Sequence, residues 1–204
     1  MLQDWPPSAL FQATPPFCDL HVDLMSATPV PGFTRSDGRF NVASYTPKGD
    51  AKSDLGPKMY SATKDNENVG STKIHKDVTD AWNVLTYASP ADKGADWVLF
   101  SRKDTVRVVK WLQTKLDCEG DPVHHQQTFL TQADLADLWG ELKIRPYLIN
   151  QTLNQFVFIP AGCAHQVRLC EGCSVCQYQS HICSLSVYYH IPGEQPRGLY
   201  QSRM

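Results

Sequence analysis

An antiparallel β-sandwich or jelly roll carrying inserted helices is the fold class this sequence predicts, and three observations predict it. From residue 58 onward, short apolar runs recur between turn residues, the pattern of strands rather than of long helices. Two longer segments, 101–116 and 131–142, instead place apolar side chains at helical spacing. The 204 residues are 42% hydrophobic and show no internal repeat, which suits a single domain with its own core.

Residues 1–55 are rich in Pro, Ser, Asp and Gly and include the pairs Pro6-Pro7 and Pro15-Pro16. Proline removes a backbone donor and biases the preceding residue away from helix. Regular structure is therefore expected there only as helical turns near residues 17–25. Residues 58–62, 72–76, 82–88, 97–100 and 156–159 read as strands. Pro160-Ala161-Gly162 closes the last of them, and a further strand is expected after His165. Ser101 precedes Asp104 by three residues, and Thr131 precedes Asp134 by three. At that spacing a hydroxyl and an acidic side chain satisfy the first N–H groups of a helix. Val106, Val109, Leu112 and Leu116 then form one apolar stripe, and Leu135, Leu138, Trp139 and Leu142 a second. Both stripes are expected to pack on a sheet.

Lys plus Arg number 19 against 21 for Asp plus Glu, a formal charge of −2. Such a balance lacks the cationic excess behind phosphate-backbone binding, so sequence-specific nucleic-acid binding is not expected. No apolar run reaches the length of a membrane span, and the first residues lack a basic-then-apolar leader pattern. A soluble, intracellular protein is expected. Seven cysteines, an odd number, argue against a disulfide framework.

The segment that carries chemistry is Thr72-Lys73-Ile74-His75-Lys76-Asp77. Side chains at i and i+2 of a strand share a face, so His75 and Asp77 are expected to project together. His-x-Asp alone also fits a surface ion pair. His165, beyond the strand at 156–159 and its turn, offers the third ligand. Two histidines and one carboxylate, with open positions left on the metal, are the facial triad of non-haem Fe(II) oxygenases. Cys170, Cys173 and Cys176, with His181 and Cys183 close behind, suit either zinc or free thiols. His124-His125 falls in a loop, where adjacent side chains of an extended chain diverge, and reads as structural.

Several blocks, in order, resemble one known family. They are Gln3-Asp4-Trp5-Pro6-Pro7, Asn41-Val42-Ala43-Ser44, residues 54–60 (DLGPKMY), 70–87 (GSTKIHKDVTDAWNVLTY) and 156–167 (FVFIPAGCAHQV). Together they are similar to the Jumonji C (JmjC) domain, and within it to the hairless-type histone H3 lysine-nine demethylases. The resemblance implies a mostly-β double-stranded β-helix, a cupin-like jelly roll with inserted α-helices. It implies Fe(II) held by His75, Asp77 and His165 at the catalytic centre. It also implies a 2-oxoglutarate co-substrate contacted by Thr72, Asn83 and Lys93, with Lys58 the competitor of Lys93. Tyr60 is a candidate wall for a methyl-lysine channel. The implied reaction is oxidative N-demethylation of methyl-lysine, with 2-oxoglutarate converted to succinate and CO2 and the methyl group leaving as formaldehyde. The implied partner is a methylated histone H3 tail, with chromatin complexes and a nuclear location.

On this resemblance the chain is one JmjC-type domain over 1–204, with an irregular segment at 1–55, a catalytic barrel at 56–173 and a divergent tail at 174–204. The loop after the Asn83 strand is shorter than the family's. An acidic closing strand is replaced by Ser174-Val175-Cys176-Gln177-Tyr178, so the barrel is expected to lack that strand and to expose an unpaired edge. Two other readings stay open: a JmjC-like hydroxylase of another substrate, and a catalytically weak or inactive JmjC binding module in chromatin regulation.

Overall fold

The short apolar runs pair as antiparallel strands and sort into two sheets. The computed structural model describes residues 2–5, 23, 26–27, 30–35, 37–45, 47, 58–63, 72–170 and 174–182. Within them the strands are β1 (Leu2–Trp5), β2 (Lys58–Thr63), β3 (Thr72–His75), β4 (Asp80–Ser89), β5 (Ala95–Leu99), β6 (Tyr147–Gln151), β7 (Phe156–Ile159), β8 (His165–Leu169) and β9 (Ser174–Ile182). Two helices, α1 (Arg102–Leu116) and α2 (Gln132–Leu142), follow β5. A single helical turn at Pro31–Thr34 and a 3-10 turn at Val42–Tyr45 precede β2. The expected helical turns near residues 17–25 lie, except for Asp23, outside the described residues.

One sheet has five strands in the order β1-β2-β9-β4-β7, and the other has four in the order β3-β8-β5-β6. Strand alternation explains how they pack. Along β5, Ala95, Trp97 and Leu99 join a buried cluster with Ala81 and Leu85 of β4, Ile159 of β7 and Val175 of β9. Val98 of the same strand and the next residue, Phe100, face the other way, into a second cluster with Val108 and Leu112 of α1 and Leu138 of α2. The sheets therefore meet face to face, and the helices cover the outer face of the smaller one.

The helix caps form as the sequence predicts. The Ser101 hydroxyl accepts from the Asp104 N–H at 3.1 Å, and Thr131 with Asp134 makes a reciprocal capping box. Removing an N-cap hydroxyl costs about 1 kcal/mol, so Thr131→Ala is expected to lower stability by that amount in urea denaturation. The stripe expected on α1 is displaced. Thr105, Val108, Trp111 and Leu112 are its buried residues, while Val106 and Leu116 are exposed. The cause is polar: the Thr105 hydroxyl accepts the Ala164 N–H at 2.8 Å, which turns that edge of the helix inward.

Three strands differ from expectation. β1 lies in the segment expected to be irregular, and β6 had no strand signal: its edge position leaves Tyr147 and Leu148 exposed. The expected gap after Cys173 is corrected. Residues 174–182 form β9, hydrogen-bonded to β2 on one side and β4 on the other. Backbone pairing does not depend on side-chain identity, and Val175 and Gln177 are buried as strand alternation requires.

Candidate metal centre

Ile74 is wholly buried in the helix-side cluster, so alternation turns its neighbour His75 to the opposite face of β3. In the ladder His75 pairs with His165 and Thr72 with Val167. Thr72 and His75 are three apart, Val167 and His165 two apart, so β3 carries a bulge. The Ile74 N–H leaves the ladder and donates to the Thr128 carbonyl at 2.9 Å. Directly paired residues share a face, so the bulge puts Thr72 and His75 on the same side despite their odd spacing.

Asp77 arrives differently from expectation. β3 ends at His75, and Asp77 sits in the loop to β4 rather than on the pleat of a strand. Its backbone carbonyl accepts the Gly162 N–H at 2.8 Å, tying that loop to the turn before β8. Gly162 has φ +73°, a conformation glycine adopts without strain.

One ligand atom from each of His75, Asp77 and His165 lies within 4.8 Å of the others. His165 Nε2 is 3.9 Å from Asp77 Oδ2, and the two imidazole centroids are 4.1 Å apart. His75 Nδ1 is 2.8 Å from the Lys73 carbonyl and His165 Nδ1 is 3.1 Å from the Cys163 carbonyl. A carbonyl only accepts, so each Nδ1 carries the hydrogen and each Nε2 presents a lone pair. Asp77 Oδ2 is buried and has no hydrogen-bond partner. An unmet buried acceptor costs about 1–3 kcal/mol, more when charged. A cation held by that oxygen and two imidazole nitrogens relieves the cost, so the donor set fits a divalent transition metal. Among the described residues this is the cluster of His, Cys, Asp and Glu able to hold an ion.

Behind the triad lies a buried amide network that the sequence did not announce. Trp97 stacks on His165, centroids 6.0 Å apart and 22° between planes. Its indole N–H donates to Gln151 Oε1 at 2.8 Å, and Gln177 donates to the same oxygen at 3.1 Å. Gln151 Nε2 reaches the Asn83 Oδ1 and backbone carbonyl at 3.2 Å each, and Asn83 Nδ2 donates to Gln179 Oε1 at 3.3 Å. The network crosses from the small sheet to the large one. Leaving buried partners unsatisfied costs about 1–3 kcal/mol, so Gln151→Leu is expected to destabilise the protein by that amount in urea denaturation. Only the wholly polar pattern Asn-Gln at 150–151, against the core side of an apolar strand, hinted at it.

Of the other residues singled out, Asn83 is buried between the sheets and Tyr60 is half-buried on β2, opposite Gln177. Lys93 is not brought to the triad. It is exposed in the turn before Ala95, which pairs with Leu169, whereas Leu99 at the far end of β5 pairs with His165. Four strand residues, about 13 Å, separate those levels. The side chain of Lys58 lies outside the described residues. His124 and His125 are exposed, with centroids 6.3 Å apart. Cys163 is buried, which pushes its thiol up from the ordinary value. Cys170 is a free thiol against the inter-sheet core, and Cys173, Cys183 and the side chains of Cys176 and His181 lie outside the described residues.

Comparison with known proteins agrees with this site. A family model described as "JmjC domain, hydroxylase" matches residues 67–178, a span that contains His75, Asp77 and His165 and runs past Cys173, where the resemblance was expected to end. The chain is 32% identical over 84% of its length to Lysine-specific demethylase 3A of Homo sapiens, covering 16% of that protein. It is 30% identical over 84% of its length to Lysine-specific demethylase 3 of Drosophila melanogaster, covering 25%. Lysine-specific demethylase JMJ26 of Arabidopsis thaliana is 29% identical over 85% of the chain, of which 27% of the relative is covered. The chain thus spans about a quarter or less of each of these three relatives.

Proposed function

Because the chain belongs to the JmjC domain, hydroxylase family, we propose that it is an Fe(II)- and 2-oxoglutarate-dependent oxygenase that removes methyl groups from lysine in histone H3. The observation that carries this reading is the triad with its orphaned carboxylate oxygen at Asp77. Its similarity to relatives named as lysine-specific demethylases supports the substrate class. A nuclear location and chromatin complexes belong to the same proposal. Among the described residues no helix is long and apolar enough to cross a membrane.

In this reading, His75 Nε2, His165 Nε2 and Asp77 Oδ2 would hold the metal, the two-histidine, one-carboxylate donor set of non-haem Fe(II) oxygenases. Fe(II), when bound, supplies the oxidising chemistry with 2-oxoglutarate and O2, and the protein supplies binding and orientation. The carbonyls of Lys73 and Cys163 fix each imidazole in the tautomer that ligates. Trp97 and its apolar neighbours keep water from the His165 side. Thr72, on the inner face beside His75, and Asn83, across the inter-sheet space, are the proposed co-substrate contacts. Lys93, on its exposed turn, is the proposed partner of the far carboxylate of 2-oxoglutarate. A cleft of about 510 Å³ beside Asp77 lies on the α1 side, lined by Lys76, Arg102, Val106, Asp121 and His124 among others and by neither histidine of the triad. The alternative reading, a non-catalytic module, rests on an improper last strand; the pairing of β9 with β2 and β4 favours the catalytic reading over it.

The test is succinate formation from 2-oxoglutarate by the Fe(II)-loaded protein, with and without a lysine-methylated histone H3 peptide, alongside formaldehyde release. Turnover that needs Fe(II) and rises with the methylated peptide is expected. Iron-dependent turnover indifferent to the peptide would remove the substrate assignment, and no succinate at all would remove the catalytic one.

A further inference from the structure

The two ligand-bearing segments meet at one peptide unit outside the triad. Ala161 is 7% exposed and lies in the turn between β7 and β8, four residues before His165. Its N–H donates to Asp80 Oδ1 at 2.7 Å. Its carbonyl accepts from Arg102 Nε at 2.5 Å. Arg102 Nη2 lies 3.8 Å from the same Asp80 oxygen, closing the triangle. Asp80 is 9% exposed and begins β4, three residues after Asp77. The next residue in the turn, Gly162, donates to the Asp77 carbonyl. Chain order alone leaves the loop carrying Asp77 and the turn leading to His165 free to slide past each other. These bonds join them, and α1 is joined to both through its first residue, Arg102.

We propose that Asp80 and Arg102 are positioning residues for the metal centre: they clamp the Ala161 peptide and thereby set the separation of the Asp77 and His165 ligand atoms. The inference rests on the triad being a metal site. Asp80 serves as the acceptor for the N–H of a buried residue. Arg102 holds the carbonyl on the other side of the residue and balances the Asp80 charge. Neither side chain supplies a ligand atom to the triad. Groups that orient metal ligands at one remove typically change metal affinity by about 10–100-fold when lost.

The clamp is tested by titrating the full chain with Co(II) alone and reading both affinity and the visible absorption of the bound ion, which reports ligand geometry. Asp80→Ala is expected to weaken Co(II) binding by about 10–100-fold and to alter the spectrum. Asp80→Asn keeps an oxygen acceptor for the Ala161 N–H and is expected to stay within about threefold of the parent, a difference near 0.7 kcal/mol. If Asp80→Ala does not fold, as judged by circular dichroism, Arg102→Ala carries the test. Its side chain is 38% exposed, so its loss is tolerated by packing, and a loss of about tenfold with an altered spectrum is expected. Parent-like affinity and spectrum in a folded Asp80→Ala or Arg102→Ala protein would overturn the clamp. Equal losses in Asp80→Asn and Asp80→Ala would overturn the acceptor role. His75→Ala separates the two readings: if it also binds Co(II) like the parent, the triad itself is wrong, whereas if it alone loses Co(II), only the clamp fails.

Discussion

Fe(II) binding is expected to fall by more than about 100-fold in both His75→Ala and Asp77→Ala, because losing a ligand exceeds the 10–100-fold cost of disturbing a group behind one. Anaerobic titration checks it, and parent-like affinity in His75→Ala would remove the triad from the metal. The two variants should part company in the metal-free protein. His75 Nδ1 gives up its bond to the Lys73 carbonyl when truncated. Asp77→Ala instead deletes a buried oxygen that has no hydrogen-bond partner. Its urea midpoint without metal is therefore expected to equal or exceed the parent's. Metal at 100 times its dissociation constant stabilises the folded state by about 2.7 kcal/mol. The parent should show that gain, and Asp77→Ala should not. Such a crossing, a more stable empty protein that no longer responds to metal, separates a ligand from a merely structural carboxylate.

The largest loss of stability is expected from Phe100→Ala, at about 3–5 kcal/mol by urea denaturation. Phe100 is 0% exposed and belongs to the cluster of Ile74, Val108, Leu112 and Leu138. It stands between the end of β5 and the Ser101 cap, so its ring holds α1 against the small sheet. Its N–H donates to the Ala164 carbonyl at 2.8 Å, one residue before His165. The cavity left by alanine cannot collapse without moving that segment. By contrast, Val106→Ala removes a side chain that is 56% exposed, and a change within about 0.5 kcal/mol is expected. A loss of similar size at Val106 would show that the stripe read from the sequence, and not the observed one, faces the sheet.

Much of the candidate site was legible because its signals are local. His75 and its neighbours stand on a strand recognisable by composition, and His165 follows a Pro-Ala-Gly turn that ends one. The helix starts were legible for the same reason, since Ser101 and Thr131 act on N–H groups within one turn. What escaped was whatever depends on a distant partner. Thr105 is polar and reads as surface, yet it is buried because the Ala164 N–H needs its hydroxyl. Gln151 ends an edge strand of mixed character and becomes the hub of the inter-sheet amides only when Asn83, Trp97 and Gln177 surround it. The spacing of Lys93 from His75 does not tell where the β4–β5 turn places it, which is beyond the Ala95–Leu169 end of β5. Residues 174–182 were expected to leave a gap, yet the family match runs on to residue 178 and β2 and β4 pair with their backbone.

The sequence by itself determined that this chain is a β-rich JmjC-type domain with two capped helices and the ligand types of a metal site. Alternation, capping and turn chemistry act over two to four residues, and a single chain displays them openly. Only the tertiary structure decided that Asp77 reaches the two histidines from a loop, that a bulge sets Thr72 beside His75, and that Asp80 and Arg102 bond one peptide of the turn before His165. Those outcomes depend on the register between strands far apart in the chain, where a shift of one residue turns every side chain to the other face.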